Sequence, residues 1–135
     1  MKKIILILVC TLCLNCNALA NENKIKNLLD SHVTGLNKRD INGVSSTIHT
    51  ISPAFGPYTQ MLNQSFQQFK IRVSLTQFDY LGKSGNYAFA KATMKLQRDG
   101  GAAFQDNETT SVYVFTKQKG QWKIWNFMQL EGKPI

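Results

Sequence analysis

The chain has 135 residues, 43% of them hydrophobic and 18% charged, and its 16 Lys and Arg outweigh 8 Asp and Glu for a formal charge of +8. It is too apolar for a disordered chain and too short for two ordinary domains. All three cysteines fall within the first sixteen residues, which excludes a disulfide-stapled scaffold, a cysteine nucleophile and a cysteine-ligated zinc in the rest of the protein.

Lys2 and Lys3, an apolar run from Ile4 to Leu14 and the ending Ala18, Leu19, Ala20 are the three parts of a secretory signal peptide. Cleavage is expected after Ala20, which would leave residues 21–135 as a single exported domain, periplasmic or secreted. A membrane anchor needs about 20 apolar residues and this run is shorter, so no transmembrane span is expected after processing. A lipidated Cys16 would need a small residue before it, where Asn15 stands. The spacing of Cys10, Cys13 and Cys16 imitates a metal motif, but all three leave with the leader. Lys2 and Lys3 leave too, taking the formal charge from +8 to +6. The remaining basic residues are scattered from Lys24 to Lys133 without an Arg-rich run. That pattern reads as a solvated basic surface, and no nucleic-acid partner is expected.

From Lys24 to Asn37, the residues Ile25, Leu28, Leu29, Val33 and Leu36 recur at helical spacing and predict a first helix. Asp40 can cap a second, shorter helix carrying Ile41, Val44 and Ile48, weakened by Gly43 and its serines. After Ser52 and Pro53, Gly56 and Pro57 open a third helix, since proline in the first turn gives up only a donor that has no helical partner. Its stripe is Tyr58, Met61, Leu62, Phe66 and Phe69, ending near Lys70.

Beyond Lys70 the period changes. Ile71–Leu81, Tyr87–Gln97, Thr109–Lys117 and Gln121–Leu130 are rich in β-branched and aromatic residues and are separated by glycine-containing turns. Three helices followed by four antiparallel strands predict an α+β domain whose helices cover one face of a strongly curved sheet. Alternation places Ala88, Ala90, Ala92, Met94, Leu96, Val112, Val114, Trp122, Ile124 and Met128 toward the helices. It places Tyr87, Phe89, Tyr113, Phe115, Trp125 and Phe127 on the outer face, bordered by lysines. An aromatic patch of that size predicts an interface, and a homodimer through the sheet is the expectation.

The first helix running into Asp40 and Ile41, the Gly-led third helix, the strand turn around Asn86, Tyr87 and Ala88, and the closing phrase from Lys119 to Ile124 together resemble the nuclear transport factor 2-like superfamily. Within it, the chain resembles the SnoaL-like and ketosteroid-isomerase-like proteins. The resemblance covers nearly all of residues 21–135 and implies a cone of curved sheet closed by helices, often with a pocket inside. Isomerase members use a tyrosine on the first helix and an acidic residue as donors to an enolate, plus a carboxylate base. By the same resemblance the tyrosine's place falls to His32, the base's to Ser52 and the acidic donor's near Val112. Two of three roles are empty.

His32 lies on the buried stripe and has two readings, a neutral core histidine or a ligand-contacting acid or base. His49 is a second candidate for the same cavity, and two histidines without a carboxylate partner make no metal site. Asn126 is expected to face inward as a polar group in an apolar cone, with Tyr58 and Met61 lining it from the third helix. No metal and no cofactor are expected. Gly82 to Gly85 joins strands and cradles no phosphate. Three functions stay open: a non-catalytic domain holding a small apolar or amphipathic ligand or serving as a protein-interaction scaffold, a small enzyme using His32, or a filled-core interaction protein with an aromatic sheet face.

Overall fold

The computed structural model describes the backbone of residues 2–135 and the side chains of residues 16–135. Three helices, α1 (Lys2–Lys38), α2 (Ile41–Ser45) and α3 (Phe55–Gln68), precede four strands, β1 (Phe69–Ser84), β2 (Tyr87–Gly101), β3 (Asn107–Gln118) and β4 (Gln121–Pro134). The strands form one antiparallel sheet in sequence order. This is the α+β arrangement the sequence predicts, with helices against one face of the sheet.

The helix ends follow local chemistry. α1 extends N-terminally past the predicted start at Lys24, and the side chains of the Ile4–Leu14 run, with Cys10 and Cys13, lie outside the described residues. Residues 16–20 are exposed, Cys16 among them, and Ile25 is the first fully buried side chain described. Among the described residues no helix is long and apolar enough to cross a membrane. Asp40 caps α2 as expected, its Oδ1 accepting from the Gly43 N–H at 3.0 Å. The helix is only five residues long. Ile48, expected on it, instead forms a parallel bridge to Ile124, with His49 N–H donating to the Ile124 carbonyl and Ile124 N–H to that of Thr47. Gly43 and the serines make a poor helix, and the open edge of β4 offers these backbone groups better partners. α3 begins at Phe55, two residues before Pro57, which the first turn tolerates because its N–H groups have no helical acceptor.

Two-residue turns set the β1–β2 and β3–β4 hairpins. Gly85 opens the β1–β2 turn at φ +58, and Lys119 and Gly120 form the β3–β4 turn with φ of +50 and +77, the twist that matches right-handed strands. Register shifts in β1 near Leu75 and Tyr80, and in β4 at Leu130 and Trp125, bend the sheet into a cone.

The core joins Ile25 and Leu29 of α1 and Ile48 to Ala88, Ala90 and Ala92 of β2, Tyr113 and Phe115 of β3, and Trp122 and Ile124 of β4. Here the expected faces need correction. Ala88 pairs with Phe115, Ala90 with Tyr113 and Ala92 with Ser111, so the aromatics of β3 point inward, while Val112 and Val114 lie outward opposite Lys91 and Phe89. Both parities of β3 are apolar, so alternation could not choose between them. Volume does: a row of alanines on β2 leaves space that Tyr113 and Phe115 fill, and Phe115 is fully buried.

β4 is corrected by its bulge. Val114 pairs with Asn126 and Phe115 with Ile124, leaving Trp125 as the extra residue, so parity flips after it. Asn126 is exposed on the outer side, Phe127 packs inward against the core, and Met128, expected inward, is 63% exposed.

Candidate functional site

Between α3 and the concave sheet lies a cavity of about 320 Å³, at the small end of ligand pockets. Leu62 and Phe66 of α3 roof it, Ile71, Val73, Met94 and Leu96 form one wall, and Tyr113 and Phe127 form the other. Thr109, Ser111 and Gln129 add a polar strip on the inner face of β3 and β4, and Arg39 stands among the lining residues just beyond α1. A wider groove of about 510 Å³ runs along α1 and α2, with Asn27, Asp30 and Thr34 on its walls. Its polar walls belong to exposed helix surface, and Asp30 is already paired with Lys26 at 2.9 Å. The apolar cone is the better candidate.

Tyr58 lines the cavity, and its hydroxyl lies 2.9 Å from His32 Nε2. His32 is 3% exposed and stacked on Tyr58, with Nδ1 2.7 Å from the Thr47 hydroxyl oxygen. Because the Thr47 hydroxyl spends its one proton on the Val44 carbonyl at 2.6 Å, it must accept from His32. His32 therefore carries its proton on Nδ1, and Nε2 accepts from the Tyr58 O–H. Burial lowers the His32 pKa to about 4, so the ring is neutral, and burial with the neighbouring Tyr113 raises that of Tyr58. His32 thus stands behind the lining rather than in it.

The other expected residues scatter. Met61 is on the rim, 52% exposed. His49 is absent from the lining and packs edge-on against Trp125 at 5.2 Å, its Nδ1 accepting from the Ile51 N–H at 3.4 Å. Asn126 points outward and its Oδ1 accepts from the Phe127 N–H at 2.8 Å, which corrects its expected place in the cone. Ser52 is buried, donating to the Trp125 carbonyl and accepting from the Ala54 N–H at 3.0 Å. It satisfies the carbonyl of the bulged residue, a structural task at the position where isomerases carry their base. Val112 faces outward. Of the six aromatics expected to form one outer patch, Tyr87 and Phe89 do lie outward, Trp125 is half-buried beside His49, and Tyr113, Phe115 and Phe127 are inside. They do not share a face.

Arg39 and the polar strip of β3 and β4 escaped the sequence reading. Arg39 looked like one scattered cation among many. Ser111, Thr109 and Gln129 were hidden by the wrong parity on β3 and the unrecognised bulges on β4, and an inward Tyr113 would have revealed the first two.

Residues 27–131 match the sequence model of the family described as "Anti-sigma-I factor RsgI9, C-terminal domain". Among curated proteins, none matches the chain significantly by sequence. Solved structures share the nuclear transport factor 2-like fold. A Pseudomonas putida protein of that fold and of unknown function is 17% identical, with a TM-score of 0.69 over 83% of this chain and 87% of that one. A Novosphingobium aromaticivorans protein proposed to be an aromatic ring hydroxylase is 12% identical, with a TM-score of 0.70 over 87% and 94%. A Streptomyces avermitilis protein of the same fold, proposed to be a dehydratase, is 16% identical, with a TM-score of 0.63 over 86% and 96%.

Proposed function

The chain belongs to the family described as the anti-sigma-I factor RsgI9 C-terminal domain, and from that membership and the geometry of the cone we propose that it is an exported, non-catalytic domain that holds a small apolar or amphipathic molecule. The observation that carries this reading is the lining: a cavity of about 320 Å³ walled by Leu, Ile, Val, Met and aromatic side chains, with a few hydroxyls and one amide. A reaction of the isomerase kind needs a base within reach of the substrate. Among the described residues that line the cavity there is no His, Asp, Glu, Cys or Lys. The acid or base role for His32 is the weaker reading, because both ring nitrogens are engaged and Tyr58 stands between it and the space.

Native mass spectrometry of the purified protein tests the reading. The expected result is a co-purifying small molecule that is lost in Leu96→Trp, a change that fills the cavity, while circular dichroism shows the variant still folded. A dry wild-type protein that also takes up nothing from a library of apolar small molecules would overturn it.

A further inference from the structure

The cavity has a one-sided charge. Among the described residues that line it, Arg39 is the only charged one. Arg39 follows the last residue of α1 with φ +57, and the chain closes there in the paired hydrogen bonds of a Schellman ending. The Arg39 N–H donates to the Leu36 carbonyl at 3.1 Å and the Asp40 N–H to the Gly35 carbonyl at 3.0 Å. Glycine is the usual residue at that left-handed position because a Cβ is strained there. An arginine holds it here, and among the described residues its guanidinium joins no ion pair and no side-chain hydrogen bond. A residue kept in a strained conformation without a packing or pairing return points to a role outside the fold.

Two further features support that reading. The Tyr113 hydroxyl, in a residue only 8% exposed, donates its one proton to the Met94 sulfur at 3.9 Å, a weak acceptor that a ligand oxygen would displace. Apart from Arg39, the described lining residues are hydrocarbon or carry neutral hydroxyl, amide and thioether groups, so an anion that entered would find one cation and, among them, no competing carboxylate.

We infer that the cone takes a small single-chain amphiphile with one anionic group of the carboxylate kind, paired to Arg39 at the entrance, its hydrocarbon lying among Leu62, Phe66, Val73 and Leu96. This rests on the binding reading above and narrows it to a ligand class. A guanidinium meets a carboxylate through two parallel charge-assisted hydrogen bonds, which gives orientation as well as affinity.

Isothermal titration calorimetry with decanoate and decan-1-ol, equal in chain length and different in charge, tests the inference on the full chain, on Arg39→Gly and on Arg39→Lys. Wild type is expected to bind decanoate about tenfold more tightly than the alcohol, as a charge-assisted pair warrants. Arg39→Gly is expected to bind the two alike, with a melting temperature equal to or above wild type because glycine relieves the left-handed residue. Arg39→Lys should keep part of the preference. Equal wild-type affinity for the two probes, or a preference that survives in Arg39→Gly, overturns the anionic assignment and leaves the binding reading intact. Binding of neither probe by wild type overturns both.

Discussion

Asn37 meets Val73 through both atoms of its amide: Nδ2 donates to the Val73 carbonyl at 2.9 Å, and Oδ1 accepts from the Val73 N–H at 2.7 Å. Val73 lies on β1, an edge strand, so the side chain replaces the neighbouring strand that the edge does not have. The clamp fixes the end of α1 to the sheet two residues before Arg39. Asn37→Leu removes both bonds and leaves two backbone groups without a protein partner, at an expected cost of about 1–3 kcal/mol. Urea denaturation measures it, and a loss below about 0.5 kcal/mol, the size of an ordinary surface change, would show that water replaces the clamp.

The buried histidine makes stability depend on pH. The folded pKa of His32 is lowered from 6.5 to about 4 by burial, so between those values the unfolded state binds more protons than the folded one. Stability therefore rises with pH across that window. The contribution is complete above about 6.5 and lost as pH falls toward 4, amounting to about 3 kcal/mol at one unit per 1.36 kcal/mol. Urea midpoints measured from pH 4 to 7.5 are expected to climb in wild type. They should climb less in His32→Gln, whose amide can still donate toward Thr47 and accept from Tyr58. An unchanged slope in that variant would assign the pH dependence to other groups.

The inward face of β3 gives a direct contrast between two aromatic residues. Phe115 is fully buried and pairs across the sheet with Ala88, whereas Tyr87 is 41% exposed on the other face. Phe115→Ala is expected to cost about 3–5 kcal/mol, the range for truncating a core aromatic. Tyr87→Ser should stay within about 0.5 kcal/mol. Thermal melts of the two variants decide, and similar losses would mean that the outer face is covered by something in solution.

What could be read from the sequence follows from which patterns have a single physical solution. The stripe from Ile25 to Leu36 fits one helix face only, and the Asp40 cap has one local acceptor task, so both were legible. So was the alanine row of β2, since Lys91 and Lys95 alternate with it and mark the outer side. On β3 the alternation of Val112 and Val114 with Tyr113 and Phe115 sets apolar against apolar, and only the volume left by the facing alanines decides between them. The bulge at Trp125 leaves no residue signature, because it is fixed by Ser52 reaching the Trp125 carbonyl from a distant loop, and Asn126 was misplaced for that reason. Arg39 carries a sequence signal only if the helix end is known to be a Schellman ending, which depends on backbone hydrogen bonds rather than on composition.

Export is a separate prediction. Residues 16–20 are exposed, while Asn21 accepts a hydrogen bond from the Trp122 indole at 3.4 Å and Ile25 is buried. Among the described residues, cutting after Ala20 would therefore remove nothing that the core uses. N-terminal sequencing of the protein from the producing cell should begin at Asn21. A chain starting at Met1, or a lipidated Cys16, would count against processing at this point.

Gly35 sets two effects of opposite sign against each other. In the interior of α1 an alanine is favoured over glycine by about 1 kcal/mol from backbone entropy and exposure. A Cβ at Gly35, however, would come within 2.9 Å of Val44 Cγ2 and 3.0 Å of the Val44 backbone nitrogen. The side-chain methyl can rotate aside, but the nitrogen belongs to α2, whose own N–H donates to the Asp40 carbonyl at 2.9 Å. Relief then requires α1 and α2 to separate, opening the packing around fully buried Val44. Overpacking of this kind costs about 1–3 kcal/mol, which outweighs the gain in helix propensity, so Gly35→Ala is expected to destabilise the protein. The Gly35 carbonyl also accepts the Asp40 N–H that closes the turn around Arg39. The same variant should therefore weaken any preference for decanoate over decanol, whereas Arg39→Gly removes that preference without a stability loss. Thermal melts and calorimetry on the two variants separate a shifted helix junction from a missing charge, and a Gly35→Ala protein more stable than wild type would show that the two helices have room to part.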